Sequence, residues 1–184
     1  MKGVVAKGGR ITTTEELVKF LDAVNETTTI AQLEEKGIKV FFRGTTRDFN
    51  GNLFPGNPNA IANGISTSTD PIKSTIFAIE SATNSGSKGV LQIALPENLT
   101  GTKLIAPNRR ISLELEVVFE TSAENFSKLS KVEIPVENAR QLVKEVYGIE
   151  LPSTMRRDIA DELLKTLPAS SLEQSYEFYM KIMR

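Results

Sequence analysis

The apolar residues of this chain change their period twice, and that change constrains the fold more than any other feature. Leu17, Val18, Phe20, Leu21 and Val24 fall on one helical face. From Ile38 to Ile134 the apolar residues come instead in short β-branched and aromatic runs, which read as strands. From Val136 onward helical spacing returns. The order is helices, then mixed strands with one inserted helix, then helices. It predicts an α+β domain with a helical C-terminal extension rather than alternating βαβ units. At 184 residues the chain reads as one domain with enough length for a proper core. Its parts are a flexible lead over 1–10, N-terminal helices over 11–37, a β-rich core over 38–134 and C-terminal helices over 135–184.

Local signals set the expected boundaries. Thr12 to Glu16 offers an N-cap with acidic residues in the first helical turn. Ile30 to Lys36 adds a second short helix, stopped by Gly37. Ile38 to Arg43 is expected as a strand, and Thr46 to Gly64, rich in Asn, Gly and Pro, as a long loop. Asp70-Pro71 opens a helix that ends near Gly86. Val90–Leu95, Leu104–Ile105, Ile111–Phe119 and Ser130–Ile134 are expected strands, with Ile111–Phe119 the longest. The C-terminal helices are placed at Val136–Tyr147, Ser153–Thr166 and Ser171–Met183.

Two absences narrow the chemistry. The chain has no cysteine and no histidine. Disulfides, thiolate nucleophiles, Cys-ligated zinc, Ser–His–Asp hydrolysis and H-E-x-x-H zinc chemistry are therefore excluded. Catalysis would rest on carboxylates, Arg, Lys, Ser, Thr or Tyr. No G-x-G-x-x-G or P-loop pattern occurs. A net charge of −1 gives no global electrostatic reason to expect nucleic-acid binding. No apolar run approaches the ~20 residues needed to span a membrane, and the first ten residues do not read as a secretory signal. The expectation is a soluble chain.

Three short motifs remain. Arg43 ends the run Val40-Phe41-Phe42 and precedes Gly44. It is either a surface arginine at a strand end or a guanidinium that clamps a phosphate or carboxylate through paired N–H donors, with Gly44 letting a ligand approach the backbone. Ser66-Thr67-Ser68 follows Gly64-Ile65. It is either a polar strand end or a pair of hydroxyls, Ser66 and Ser68, alternating onto one side where they orient a carboxylate or a ribose. Glu114-Leu115-Glu116 opens Val117-Val118-Phe119. Strand alternation puts both carboxylates on one face, which is either a solvated edge or a reaction centre. Paired carboxylates suit glycosidic chemistry, one stabilising an oxocarbenium-like centre and one handling a proton.

In this order the motifs resemble the Arg–Ser–Glu, cholera-toxin-like class of mono-ADP-ribosyltransferases, in its Glu-x-Glu form. The resemblance covers Ile38 to Phe119. The His-Tyr-Glu class is not matched, since its histidine is missing. The resemblance implies a mixed or antiparallel β core of two packed sheets with flanking helices. It implies NAD as substrate, without a metal. Glu116 would stabilise the ribose cation, Ser66 would brace Glu116, and Thr67 or Ser68 would support the site. Arg43 would hold the NAD phosphates and the Gly44 backbone would meet the nicotinamide amide. Phe77 would stack on the nicotinamide, or serve only the core. Glu114 would orient or deprotonate an acceptor arginine on a target protein. Residues 106–111 occupy the place of the target-recognition loop, without the aromatic many members carry. The implied setting is a bacterial toxin or effector, secreted or delivered into a target cell, or otherwise a cytoplasmic enzyme. Two further readings are NAD glycohydrolase and a non-enzymatic module, either a catalytically inactive binding module of the same class or an unrelated α+β interaction domain. The C-terminal helices would pack as support, bind the target or contact an immunity protein.

Overall fold

A computed structural model describes residues 9–54, 64–107 and 113–184. The lead residues 1–8, part of the expected long loop and most of the expected target-recognition loop lie outside the described residues. Six strands are described: β1 (Phe41–Arg47), β2 (Gly64–Ser68), β3 (Lys88–Ala94), β4 (Lys103–Ile105), β5 (Glu116–Glu120) and β6 (Val132–Pro135). They form one antiparallel sheet in the order β4-β5-β2-β1-β3-β6. Seven α-helices accompany them among the described residues: α1 (Thr14–Asp22), α2 (Ile30–Glu35), α3 (Pro71–Ser85), α4 (Ala123–Leu129), α5 (Val136–Tyr147), α6 (Arg157–Thr166) and α7 (Leu172–Met183). None of the described helices is long and apolar enough to cross a membrane.

The α+β class is seen; two separate packed sheets are not. The sheet is nearly divided, however. β1 pairs with β3 along its whole length, from Phe41 opposite Ala94 to Arg47 opposite Lys88. It meets β2 at a single residue pair, Phe42 opposite Ser68. Past that junction β1 and β2 part, leaving the halves β4-β5-β2 and β1-β3-β6.

Each face of the sheet carries its own core, and neighbouring phenylalanines anchor them. Phe41 meets Phe119 edge to face at 5.1 Å, in a core with Leu17, Leu21, Leu33, Val117 and Phe126. Phe42 meets Phe178 edge to face at 5.6 Å, in a core with Ile76, Leu91, Ile93, Val143 and Leu164. Helices α1, α2 and α4 thus cover one face, and α3, α5, α6 and α7 the other. Such aromatic pairs contribute about 0.5–1.5 kcal/mol each beyond area burial.

Most boundaries follow from local chemistry. Thr13 and Glu16 form a capping box at the start of α1. Asp70 caps α3 through the amides of Ile72 and Lys73, and Gly86 ends it at φ +72°. Three expectations are corrected and one helix is added. The strand expected over Ile111–Phe119 as the longest is β5, Glu116–Glu120, shorter than β1 and β3. β1 continues to Arg47 because Thr45 and Thr46 pair with Val90 and Gly89. Helix α6 starts at Arg157, not Ser153, because the Met155 amide donates to Thr83 Oγ1 at 2.9 Å while its side chain enters the core. Helix α4 was not expected from the sequence: it buries only Phe126, and one apolar residue shows no period.

Candidate active site

The site lies where β1 and β2 part. A cavity of ≈ 300 Å³ there is lined by Phe42, Arg43 and Gly44 of β1, by Ser66, Thr67 and Ser68 of β2, by Ser74, Phe77 and Ser81 of α3, and by Glu114 and Glu116. All eight residues singled out from the sequence therefore converge on one cleft. A second cavity, ≈ 330 Å³, lies elsewhere, between Thr12–Thr14 and Ser170–Glu173.

Pairing of β2 with β5 builds the hydroxyl–carboxylate part. Ser68 sits opposite Glu116 and Ser66 opposite Val118. Ser66 Oγ donates to Glu116 Oε2. Thr67, on the other face, donates to Val117 O at 2.8 Å and so helps lock the register. Ser68 Oγ donates to Glu114 O at 2.6 Å and accepts from the Asp70 amide at 3.0 Å. Although Ser66 and Ser68 share a face, they do different things: one holds a carboxylate, the other pins a turn and the start of α3.

The Glu-x-Glu motif does not lie within a strand, which corrects the alternation argument. β5 begins at Glu116, and Leu115 has φ +52°. A left-handed conformation in a non-glycine residue costs on the order of 1–3 kcal/mol and persists only where its surroundings enforce it. Here Leu115 O accepts the Thr69 amide at 3.2 Å and the side chain is buried. The turn, not β alternation, brings both carboxylates to the cavity. The solvated-edge reading is also set aside: Glu114 is 4% and Glu116 6% exposed.

Arg43 leaves β1 on the face opposite Phe42 and Gly44, and its guanidinium reaches into the gap between β1 and β2. Nη1 donates to Ser66 O at 3.2 Å. Nε is buried without a hydrogen-bond partner. Burial lowers the guanidinium from its ordinary value to about 10, which leaves it cationic near neutrality. An unsatisfied N–H on a desolvated cation is costly, and an anionic oxygen would relieve that cost.

Gly44 lines the cavity, and packing gives a further reason for a glycine there. A Cβ would stand 1.9 Å from Ser74 O and 2.7 Å from the Ala78 amide, so α3 lies directly on β1 at this point. Ser74 Oγ also donates to Phe42 O at 3.0 Å. Phe77 is half-buried, touching both the cavity and the core.

Several residues at or behind the site were not singled out from sequence. Ser74 and Ser81 share one face of α3 with Phe77, and that three- and four-residue spacing was a usable signal. Asp70 was read only as the start of a helix, and Lys73 carried no signal. Asp70 is fully buried; burial raises its carboxyl, while amide donors from Ser170, Ile72 and Lys73 and the Lys73 charge oppose the rise. Lys73 Nζ donates to Leu164 O and Leu167 O at 3.1 and 3.2 Å, at the end of α6. Burial lowers its ammonium, against the charges of Asp70 and Glu114. Ser175 Oγ donates to Thr69 O at 2.7 Å, and Ser170 Oγ links Ser175 to the Tyr147 hydroxyl at 3.0 and 2.5 Å. The C-terminal helices therefore support the segment Thr69–Lys73 directly behind the cavity.

Among the described residues no cluster of three or more His, Cys, Asp or Glu side chains is arranged to hold a metal ion. No protein-family model, curated protein or solved structure matches the chain.

Proposed function

We propose that this protein transfers ADP-ribose from NAD to an arginine side chain of another protein, releasing nicotinamide. The observation that carries this reading is the convergence of four groups in one cavity: the half-satisfied Arg43 guanidinium, the Ser66–Glu116 pair, Glu114 and the Phe77 ring. The near-division of the sheet between β1 and β2 supports an ADP-ribosyltransferase-like arrangement of two half-sheets around a cleft. The toxin or effector setting rests on the motif resemblance alone.

In this mechanism Arg43 holds the diphosphate through charge-assisted hydrogen bonds. The bond between the ribose carbon and the nicotinamide nitrogen breaks, and the electron pair leaves with neutral nicotinamide. Positive charge develops on the ribose, where Glu116, oriented by Ser66, stabilises it. The guanidine nitrogen of the acceptor then bonds to that carbon and gives its proton to Glu114. Phe77 offers a ring face for the nicotinamide.

The test is incubation of wild type, Glu114→Gln and Glu116→Ala with NAD labelled on the adenylate. Protein labelling by wild type, its loss in Glu114→Gln with NAD cleavage retained, and loss of both in Glu116→Ala support the reading. Free ADP-ribose without labelled protein in the wild type identifies a glycohydrolase. No cleavage of NAD by the wild type rejects the assignment.

A further inference from the structure

Phe49 is 86% exposed, the most exposed large apolar side chain among the described residues, and the turn that carries it is held firmly. Asp48 Oδ1 accepts the amides of Asn50 and Asn52, each at 2.9 Å. The Asp48 amide donates to Asn52 O and the Gly51 amide to Asp48 O, at 2.9 and 3.0 Å. Gly51 takes φ +91°, a conformation that closes the turn and suits glycine. Arg47 donates to Gly51 O at 2.8 Å while also holding Glu133 and Ser127. A strand-like bridge between Arg47 and Leu53 closes the base of the turn, and Phe54, also exposed, follows it.

An ordered turn that displays an aromatic ring to water has the properties of a binding anchor. Aromatic side chains rimmed by polar groups dominate interface energetics. A turn already rigid loses little entropy when it docks. The rim here is Asp48, Asn50 and Asn52. Position identifies the occupant. The turn continues β1, the strand of Arg43, at the end where β1 has parted from β2. Six residues of extended chain place Phe49 no more than about 20 Å from Arg43. A typical interface covers roughly 800 Å² per partner, a disc about 30 Å across. A protein seated over the cleft mouth is therefore large enough to reach the turn.

We propose that Phe49 is the docking anchor for the protein that presents the acceptor arginine, an inference that rests on the transferase reading above. Its test compares wild type with Phe49→Ala, given adenylate-labelled NAD and either a cell lysate or agmatine, a free guanidine too small to span cleft and turn. Labelling of the strongest protein band should fall roughly tenfold to thirtyfold, the scale of an aromatic anchor. Agmatine should be modified at the wild-type rate. Unchanged protein labelling overturns the proposal. So does an equal fall with agmatine, which would place the effect inside the cleft. A shift from dimer to monomer on sedimentation also overturns it, because the occupant would then be a second copy of this chain. If wild type cleaves NAD but labels neither acceptor, the transferase reading fails and takes this inference with it.

Discussion

Ser66 donates its hydroxyl to the Glu116 carboxylate from the neighbouring strand, and the β2–β5 register holds the two in place. A hydrogen bond to a charged acceptor contributes about 1.5–3 kcal/mol. If Glu116 stabilises the ribose cation, Ser66→Ala should lower kcat for nicotinamide release by about tenfold to a hundredfold. KM for NAD should change little, because Arg43 is untouched. Steady-state nicotinamide release checks this, and a thermal melt confirms that the variant is folded.

Ser68 has a different task. Its hydroxyl joins Glu114 O to the Asp70 amide, both buried. Ser68→Ala removes both hydrogen bonds and leaves the buried Asp70 amide without its acceptor, at a cost of about 1–3 kcal/mol. The melting temperature should fall by several degrees, at about 2–4 °C per kcal/mol for a chain this size. The turn that aims Glu114 should loosen too, so transfer to protein should drop more than NAD cleavage. Melting curves and paired activity assays measure the two effects.

Gly44 tests how closely α3 lies on β1. An added Cβ at 1.9 Å from Ser74 O forces α3 away from the strand. Gly44→Ala should destabilise by about 3 kcal/mol or more, the upper range for overpacking. Urea unfolding would show this as a lower midpoint with an unchanged slope. A midpoint equal to wild type would mean that α3 shifts freely.

Asp70 predicts a pH dependence. Burial raises its carboxyl above the ordinary range near 4. Between the ordinary value and the raised one, the folded chain holds a proton that the unfolded chain has released. Stability from this group therefore falls as pH rises through that window and then levels off. In Asp70→Asn the group cannot titrate, although its amide meets the Ser170 amide poorly. The variant should be less stable than wild type at low pH, and the gap should narrow as pH rises. Urea midpoints at a series of pH values measure the gap; a gap that widens with pH contradicts the assignment.

Much of the fold was readable because its signals are local. The capping box at Thr13, Asp70-Pro71 at the start of α3 and Gly86 at its end act within a few residues of chain. Helix α4 and the late start of α6 were not readable, since one depends on a single buried ring and the other on an amide captured by Thr83. The site shows the same division. Arg43, Ser66 and Glu116 stood out by residue type and order, whereas Ser74 and Ser81 required knowing which face of α3 meets the cleft.

By itself the sequence determined the α+β class, the positions of most helices and the small set of side chains able to do chemistry without histidine or cysteine. These follow from periodicity, capping and composition, which act over short stretches of chain. Tertiary structure alone decided that β1 and β2 meet at one residue pair and open a cleft, that Leu115 turns left-handed to bring Glu114 and Glu116 to one cavity, and that α6, Ser170 and α7 brace the site through Lys73, Asp70 and Thr69. Those features depend on contacts between residues far apart in the chain, where packing and buried hydrogen bonding override local preference.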